Sequence, residues 1–169
     1  MVKQDRIKEL PILGWRELVR LPELGLPWMR AKIDTGARTS ALHASDIELF
    51  ELDGTEYARF KVHPKQRNFE QVVEVEAEVV DHRHVRSSGG NLTYRPVIRT
   101  QVEIKGKNLP IELTLICRKK LKFRMLIGRE ALEGNFLVDS GRSYLGGTKL
   151  SKKAKMKLVL EPSTKAGTK

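Results

Sequence analysis

At 169 residues the chain has the length of one domain, and its 32 Lys+Arg against 21 Asp+Glu give a formal net charge of +11. A hydrophobic content of 40% is enough for a core and excludes a disordered chain, and no run nears the ~18 apolar residues of a membrane helix. The single cysteine, Cys117, excludes disulfide scaffolds and cysteine-cluster metal sites. With no apolar signal segment in the first ten residues, it points to a reducing, cytoplasmic setting.

Helix-length periodicity is nearly absent, and short β-rich runs punctuated by Gly, Pro or Asn take its place. In chain order the expected strands are Arg16–Val19, Arg30–Ile33, Ile47–Leu52, Glu56–Val62, Gln71–Asp81, Val97–Ile104, Ile111–Ile116, Arg124–Ile127 and Gly134–Val138. Gln71–Asp81 alternates apolar and acidic residues, which puts Val73, Val75, Ala77 and Val79 on one buried face. Asp53-Gly54 and Lys105-Gly106-Lys107-Asn108 are hairpin turns, the first because both central residues tolerate positive φ. One short helix, Arg129–Leu132, is opened by Gly128 and closed near Gly134. The expected architecture is all-β, a barrel or sandwich occupying residues 1–150. A basic tail follows over 151–169, its end unstructured. Residues 149–169 hold seven lysines and one acid, Glu161. A solvated tail is the simplest reading, and with no arginine–aromatic interleaving in the sequence nucleic acid is not the expected partner.

Two segments carry chemistry. In Ala31-Lys32-Ile33-Asp34-Thr35-Gly36-Ala37 a strand fixes a carboxylate, and the glycine lets the chain turn with its N–H toward that carboxylate. The threonine hydroxyl is placed to bond to a partner loop. Alone, Asp-Thr-Gly is a common turn. The second segment, Met125-Leu126-Ile127-Gly128-Arg129-Glu130-Ala131-Leu132, is an apolar strand, a glycine, an arginine and a short helix.

Together these segments resemble the retropepsin-like aspartic proteases over roughly Trp28 to Leu145. A closer resemblance rests on Ala31–Ser45, Tyr94-Arg95-Pro96-Val97, Ile111–Leu115 and the Leu-Ile-Gly-Arg block. It is to the bacterial RimB-like family, often labelled "ATP-dependent zinc protease" and found beside or fused to the RimK-type glutamate ligase. The resemblance implies a closed retropepsin-like barrel in which the strand ending at Gly128 passes behind the aspartate loop. It implies Asp34, Thr35 and Gly36 as the catalytic loop, and Ile127, Gly128 and Arg129 as its support. It also implies a homodimer, each subunit lending one Asp34. Two adjacent carboxylates then share a proton and activate water on the scissile carbonyl, with no metal or cofactor.

The residues themselves give the family's older label little support. There is no His-Glu-x-x-His helix and no Gly-x-x-x-x-Gly-Lys-Ser/Thr loop. His82 and His84, two apart on a strand, are the best arm for a metal-dependent hydrolase, which stands as the alternative beside a non-catalytic basic binding barrel. Asp139-Ser140-Gly141 is a rival second aspartate loop, although too little chain follows it for a second lobe. Ser87-Ser88-Gly89-Gly90-Asn91 is the expected flap tip, which makes Ser88, Gly89 and Gly90 substrate-facing along with Ala37 and Arg38. The span from Asp34 to Gly128 exceeds that of viral retropepsins, with the Ile47–Asp81 hairpins as the insertion. Viral enzymes often have aspartate where this chain has Arg38, leaving Arg129 without that partner. With Arg83, Arg86, Arg95 and Arg99 flanking the flap, the expected substrate is acidic protein, since arginine binds carboxylates bidentately. Glutamate-tailed protein fits the company of a glutamate ligase.

Overall fold

The fold was obtained as a computed structural model, which describes residues 9–65, 70–117 and 122–147. The tail expected over 151–169 lies outside these residues.

Eleven strands, one short α-helix and a single 3-10 turn (Pro22–Leu24) are found among them: β1 (Ile12–Gly14), β2 (Arg16–Leu21), β3 (Leu26–Ile33), β4 (Ser40–His43), β5 (Ser45–Leu52), β6 (Thr55–Val62), β7 (Val73–Arg86), β8 (Leu92–Ile104), β9 (Lys107–Ile116), β10 (Met125–Ile127), α1 (Arg129–Leu132) and β11 (Leu137–Asp139). The all-β expectation is met, and the helix has the predicted bounds. Two strands, β1 and β4, were not among those expected. β1 is three residues long and pairs in parallel with β11, too short to show a period. β4 is buried along its whole length, so it cannot show the alternation that marks a half-exposed strand.

The main sheet runs β2-β3-β10-β4-β9-β8-β7-β6-β5, and β2 also pairs with β8 through Val19↔Ile104 and Arg20↔Glu103. Hydrogen bonding therefore passes from β2 through β3, β10, β4, β9 and β8 and returns to β2, while β7, β6 and β5 extend outward. Inside lie the fully buried Leu21, Met29, Leu42, Ile98, Leu113 and Met125, each worth about 1.5–3 kcal/mol of burial.

Local chemistry explains the hairpins. Asp53 and Gly54 have φ of 51° and 77°, and Lys105 and Gly106 have 47° and 76°, the paired positive values of a type I′ turn, whose twist matches that of the strands. In β7 the predicted alternation holds, with Val75 buried and its acidic neighbours exposed. The register with β8 then shifts between Val79 and Asp81. This bulge interrupts the alternation, with Val80 and Asp81 both exposed, and β7 runs on past its expected end at Asp81 into the hairpin above the cleft.

Candidate active site

β3 delivers Ile33, buried in the core, and the chain leaves the sheet at Asp34. β10 runs parallel to β3, with Ile127 opposite Ile33, and antiparallel to β4, with Met125 opposite Leu42. It is therefore threaded between the two strands that bracket the Asp34 loop. The Asp34 N–H donates to the Ile127 carbonyl at 2.8 Å. The Gly36 and Ala37 N–H groups donate to Asp34 Oδ1 at 3.0 and 3.2 Å. These bonds orient one carboxylate oxygen, while Thr35 and Gly36 are exposed at the tip.

Gly128 is held where only glycine fits. A Cβ there would lie 2.7 Å from the Thr39 carbonyl carbon and 2.9 Å from the Arg38 oxygen, both backbone atoms that cannot swing aside. The Gly128 N–H donates to Ser40 Oγ at 3.0 Å in a buried bond. From there α1 stitches the loop's exit: Arg129 N–H donates to the Ala37 carbonyl at 2.8 Å and Glu130 N–H to the Arg38 carbonyl at 3.1 Å. The Arg129 guanidinium donates to the Thr35 and Gly36 carbonyls, each at 3.3 Å. Arg129 thus has a use without the viral aspartate: it braces the backbone of the aspartate loop.

A cleft of about 650 Å³ separates the loop from the β7–β8 hairpin, lined on one side by Gly36–Thr39 and Glu130 and on the other by β7 from His82 to Arg86. The hairpin tip is a tight turn at the predicted position. Gly90 N–H donates to the Ser87 carbonyl at 2.9 Å, Ser87 N–H to the Asn91 carbonyl at 2.8 Å, and Gly90 has φ 84°. Ser88, Gly89 and Gly90 are exposed there.

Two of the three arginines that line the cleft are paired more closely than the sequence suggests. Arg38 Nε meets Glu130 Oε1 at 2.8 Å. Arg83 bridges Asp81 at 2.8 Å and Glu112 at 2.6 Å, and Arg99 shares Glu112 at 3.2 Å. The two guanidinium groups hold the Glu112 carboxyl below its ordinary pKa, Arg83 acting most strongly. Arg95, expected at the surface, is buried and bonds to Thr93 Oγ1 at 2.8 Å, beneath the hairpin.

Asp139 ends β11 and turns the chain, as expected. Its carboxylate accepts from Gly141 N–H at 2.9 Å and pairs with Arg142 at 2.8 Å, and this arginine lowers its pKa. The loop reproduces the Asp-x-Gly bond of the Asp34 loop, but its carboxylate is committed to Arg142. His82 and His84 do share a face of β7, both against the Tyr94 ring at centroid distances of 5.2 and 4.9 Å. His82 Nε2 is bonded to Glu56. Among the described residues no three His, Cys, Asp or Glu side chains converge as a metal site would require.

An aspartate loop after a strand, with a strand–Gly–Arg–helix threaded behind it, is the active-site framework of the retropepsin-like aspartic peptidases. Residues 12–149 match the family of the retropepsin-like aspartic endopeptidase RimB, and the chain belongs to this RimB-like family. It is 38% identical over 166 residues to a probable alpha-L-glutamate ligase of Desulfotalea psychrophila, covering 98% of this chain and 35% of that protein. A second probable alpha-L-glutamate ligase, from Parasynechococcus marenigrum, is 43% identical over 133 residues, 79% of this chain and 28% of that protein. The chain thus spans about a third of the length of these relatives. A Legionella pneumophila protein of unknown function has a similar crystal structure, with a TM-score of 0.68 at 28% identity, over 81% of this chain and 98% of that one.

Proposed function

We propose that the chain is an aspartic endopeptidase that works as a homodimer, with the two Asp34 carboxylates facing each other and sharing one proton. The observation that carries this reading is the Asp34 loop. It has one carboxylate oriented by two backbone N–H groups, is braced from behind by Gly128 and Arg129, and is open on the side where Thr35 is exposed. A lone carboxylate cannot serve as both acid and base in peptide hydrolysis, whereas two at close range titrate apart, one protonated and one ionised. A two-fold axis through the open side brings the second from an identical chain. The ring of pairings from β2 round to β8 supports reading the fold as a closed barrel that carries such a loop.

In this mechanism the ionised Asp34 takes a proton from water as the water attacks the scissile carbonyl. The protonated Asp34 donates to the carbonyl oxygen, and no covalent enzyme intermediate forms. Thr35 bonds across the axis. The β7–β8 hairpin, with Ser88, Gly89 and Gly90 at its tip, closes over the peptide and excludes water. Ala37 and Arg38 contact the substrate chain. The preferred substrate is acidic protein, including glutamate-tailed protein, because the cleft presents Arg38, Arg83 and Arg86. Relatives named as probable glutamate ligases support a functional link to a RimK-type ligase. Their ligase activity is not assigned to this chain, which matches only a third of their length.

Mixing tests the shared site. Asp34→Asn protein added in equal amount to wild type and equilibrated leaves roughly a quarter of the dimers with both carboxylates, so peptidase activity per total protein falls accordingly. Activity that stays at the level of the wild-type chains alone contradicts a site built across two subunits.

A further inference from the structure

The sequence shows no interleaving of basic and aromatic residues, but strand pairing creates it. In β2 the outward residues alternate as Arg16, Leu18 and Arg20, with Glu17, Val19 and Leu21 buried between them. In β3 the outward residues are Trp28, Arg30 and Lys32. The register sets Arg16 opposite Lys32 and Leu18 opposite Arg30, and the Arg20 guanidinium lies over the Trp28 ring, 5.4 Å from its centroid. Glu103 pins Arg20 in place through Nε at 2.9 Å.

Beside this face runs a groove of about 450 Å³ lined by Leu18, Trp28, Met29, Arg30, Pro64, Lys65 and Arg124. None of these lining residues is acidic. Arg30, Lys32 and Lys65 are exposed and have no ion-pair partner among the described residues. This contrasts with the active-site cleft, where two of the three arginines, Arg38 and Arg83, are each paired with a glutamate. The groove shares no lining residue with that cleft. It lies back along β3, at ~3.3 Å per residue toward the strand's start from Asp34.

We propose that the β2–β3 face and its groove bind single-stranded nucleic acid, independently of the peptidase site. Unpaired cations at strand spacing track a phosphate backbone, and their neutralisation of phosphates releases counterions. An indole held by a pinned arginine, beside the apolar Leu18, gives an unstacked base a surface that an acidic peptide does not need. Duplex buries its base faces and cannot use Trp28, so the preference is for single strands.

The test is fluorescence anisotropy with a labelled oligouridylate of about a dozen nucleotides. It uses the full chain, so that the lysine-rich C-terminal segment is common to all variants, and compares an oligoglutamate of equal charge and a duplex. The oligouridylate is expected to bind most tightly, and Arg30→Glu and Lys32→Glu each weaken it about ten-fold. Trp28→Ala weakens it similarly while leaving the salt dependence of binding unchanged; Arg30→Ala lowers the slope against salt by about one phosphate contact. Arg59→Glu, on β6, changes affinity less than two-fold. Thermal melts of the exposed-site variants Arg30→Glu and Lys32→Glu verify folding. Wild-type affinity in both charge reversals, or no binding by wild type, overturns the proposal. So does oligoglutamate binding as tightly as oligouridylate with the same losses, because the face would then read acidic peptide by charge alone.

Discussion

Gly128 and Ser40 lock the threaded strand against the exit of the aspartate loop. Gly128→Ala forces a Cβ to within 2.7 Å of backbone and is expected to cost more than the ~1–3 kcal/mol of ordinary overpacking, read as a lower denaturant midpoint. Ser40→Ala leaves the buried Gly128 N–H without its acceptor, a loss of about 1–3 kcal/mol. His43 is the residue with a pH signature. Burial foremost, then Arg124 and His63, lowers its pKa from the ordinary value of 6.5. The unfolded chain therefore takes up a proton that the folded one refuses. The contribution of neutral His43 to stability is complete above pH 6.5 and is lost as pH falls from there toward the lowered native value. Urea midpoints measured between pH 7 and 5 should fall, and His43→Gln should flatten that slope even if it lowers the midpoint at neutral pH. Asp34, Gly36 and Gly128 were legible because motif and turn chemistry are local. The roles of Ser40 and Arg95 were not, since Ser40 Oγ accepts from Gly128, 88 residues away in the chain, and the buried Arg95 also donates to Thr114 Oγ1, 19 residues away.

At the scale of elements, the hairpins were readable because Asp53-Gly54 and Lys105-Gly106 encode their turns within two residues. β7 was readable because its acid–apolar alternation is a surface property. The bulge after Val79 had no sequence signal, yet it aims His82–Arg86 at the cleft. β1 and β4 were hidden for opposite reasons, one too short and the other buried on both faces. The joint between β1, β2 and the segment after β11 was equally hidden. There the buried Glu17 accepts from the N–H groups of Gly14, Leu145 and Gly146 at 2.7, 2.9 and 3.1 Å. Gly14 leaves no room for a Cβ against Arg142 and Ser143. Glu17→Ala strands these donors and should cost about 3 kcal/mol, with hydrogen exchange at Leu145 and Gly146 accelerating ahead of the core.

For the molecule as a whole, the account predicts selectivity by charge. A glutamate-rich peptide should be cleaved faster than a lysine-rich one, with the preference weakened by salt. Arg38→Ala should reduce that preference by up to about ten-fold, the worth of one charge-assisted contact. Because Arg38 is bound to Glu130 in the free protein, part of that contact is already offset, which makes ten-fold an upper figure. Equal losses on acidic and neutral peptides would make Arg38 a brace for the loop instead. Light scattering of active protein should give a mass near twice 19.3 kDa.

The most direct measurement of the central claim is peptide hydrolysis by wild type and Asp34→Asn, each with and without EDTA. The account predicts that wild type cleaves equally in both conditions. It predicts that Asp34→Asn, folded by its melting curve, falls to background in both. Activity retained by Asp34→Asn, or wild-type activity abolished by EDTA, would contradict an aspartate-only site.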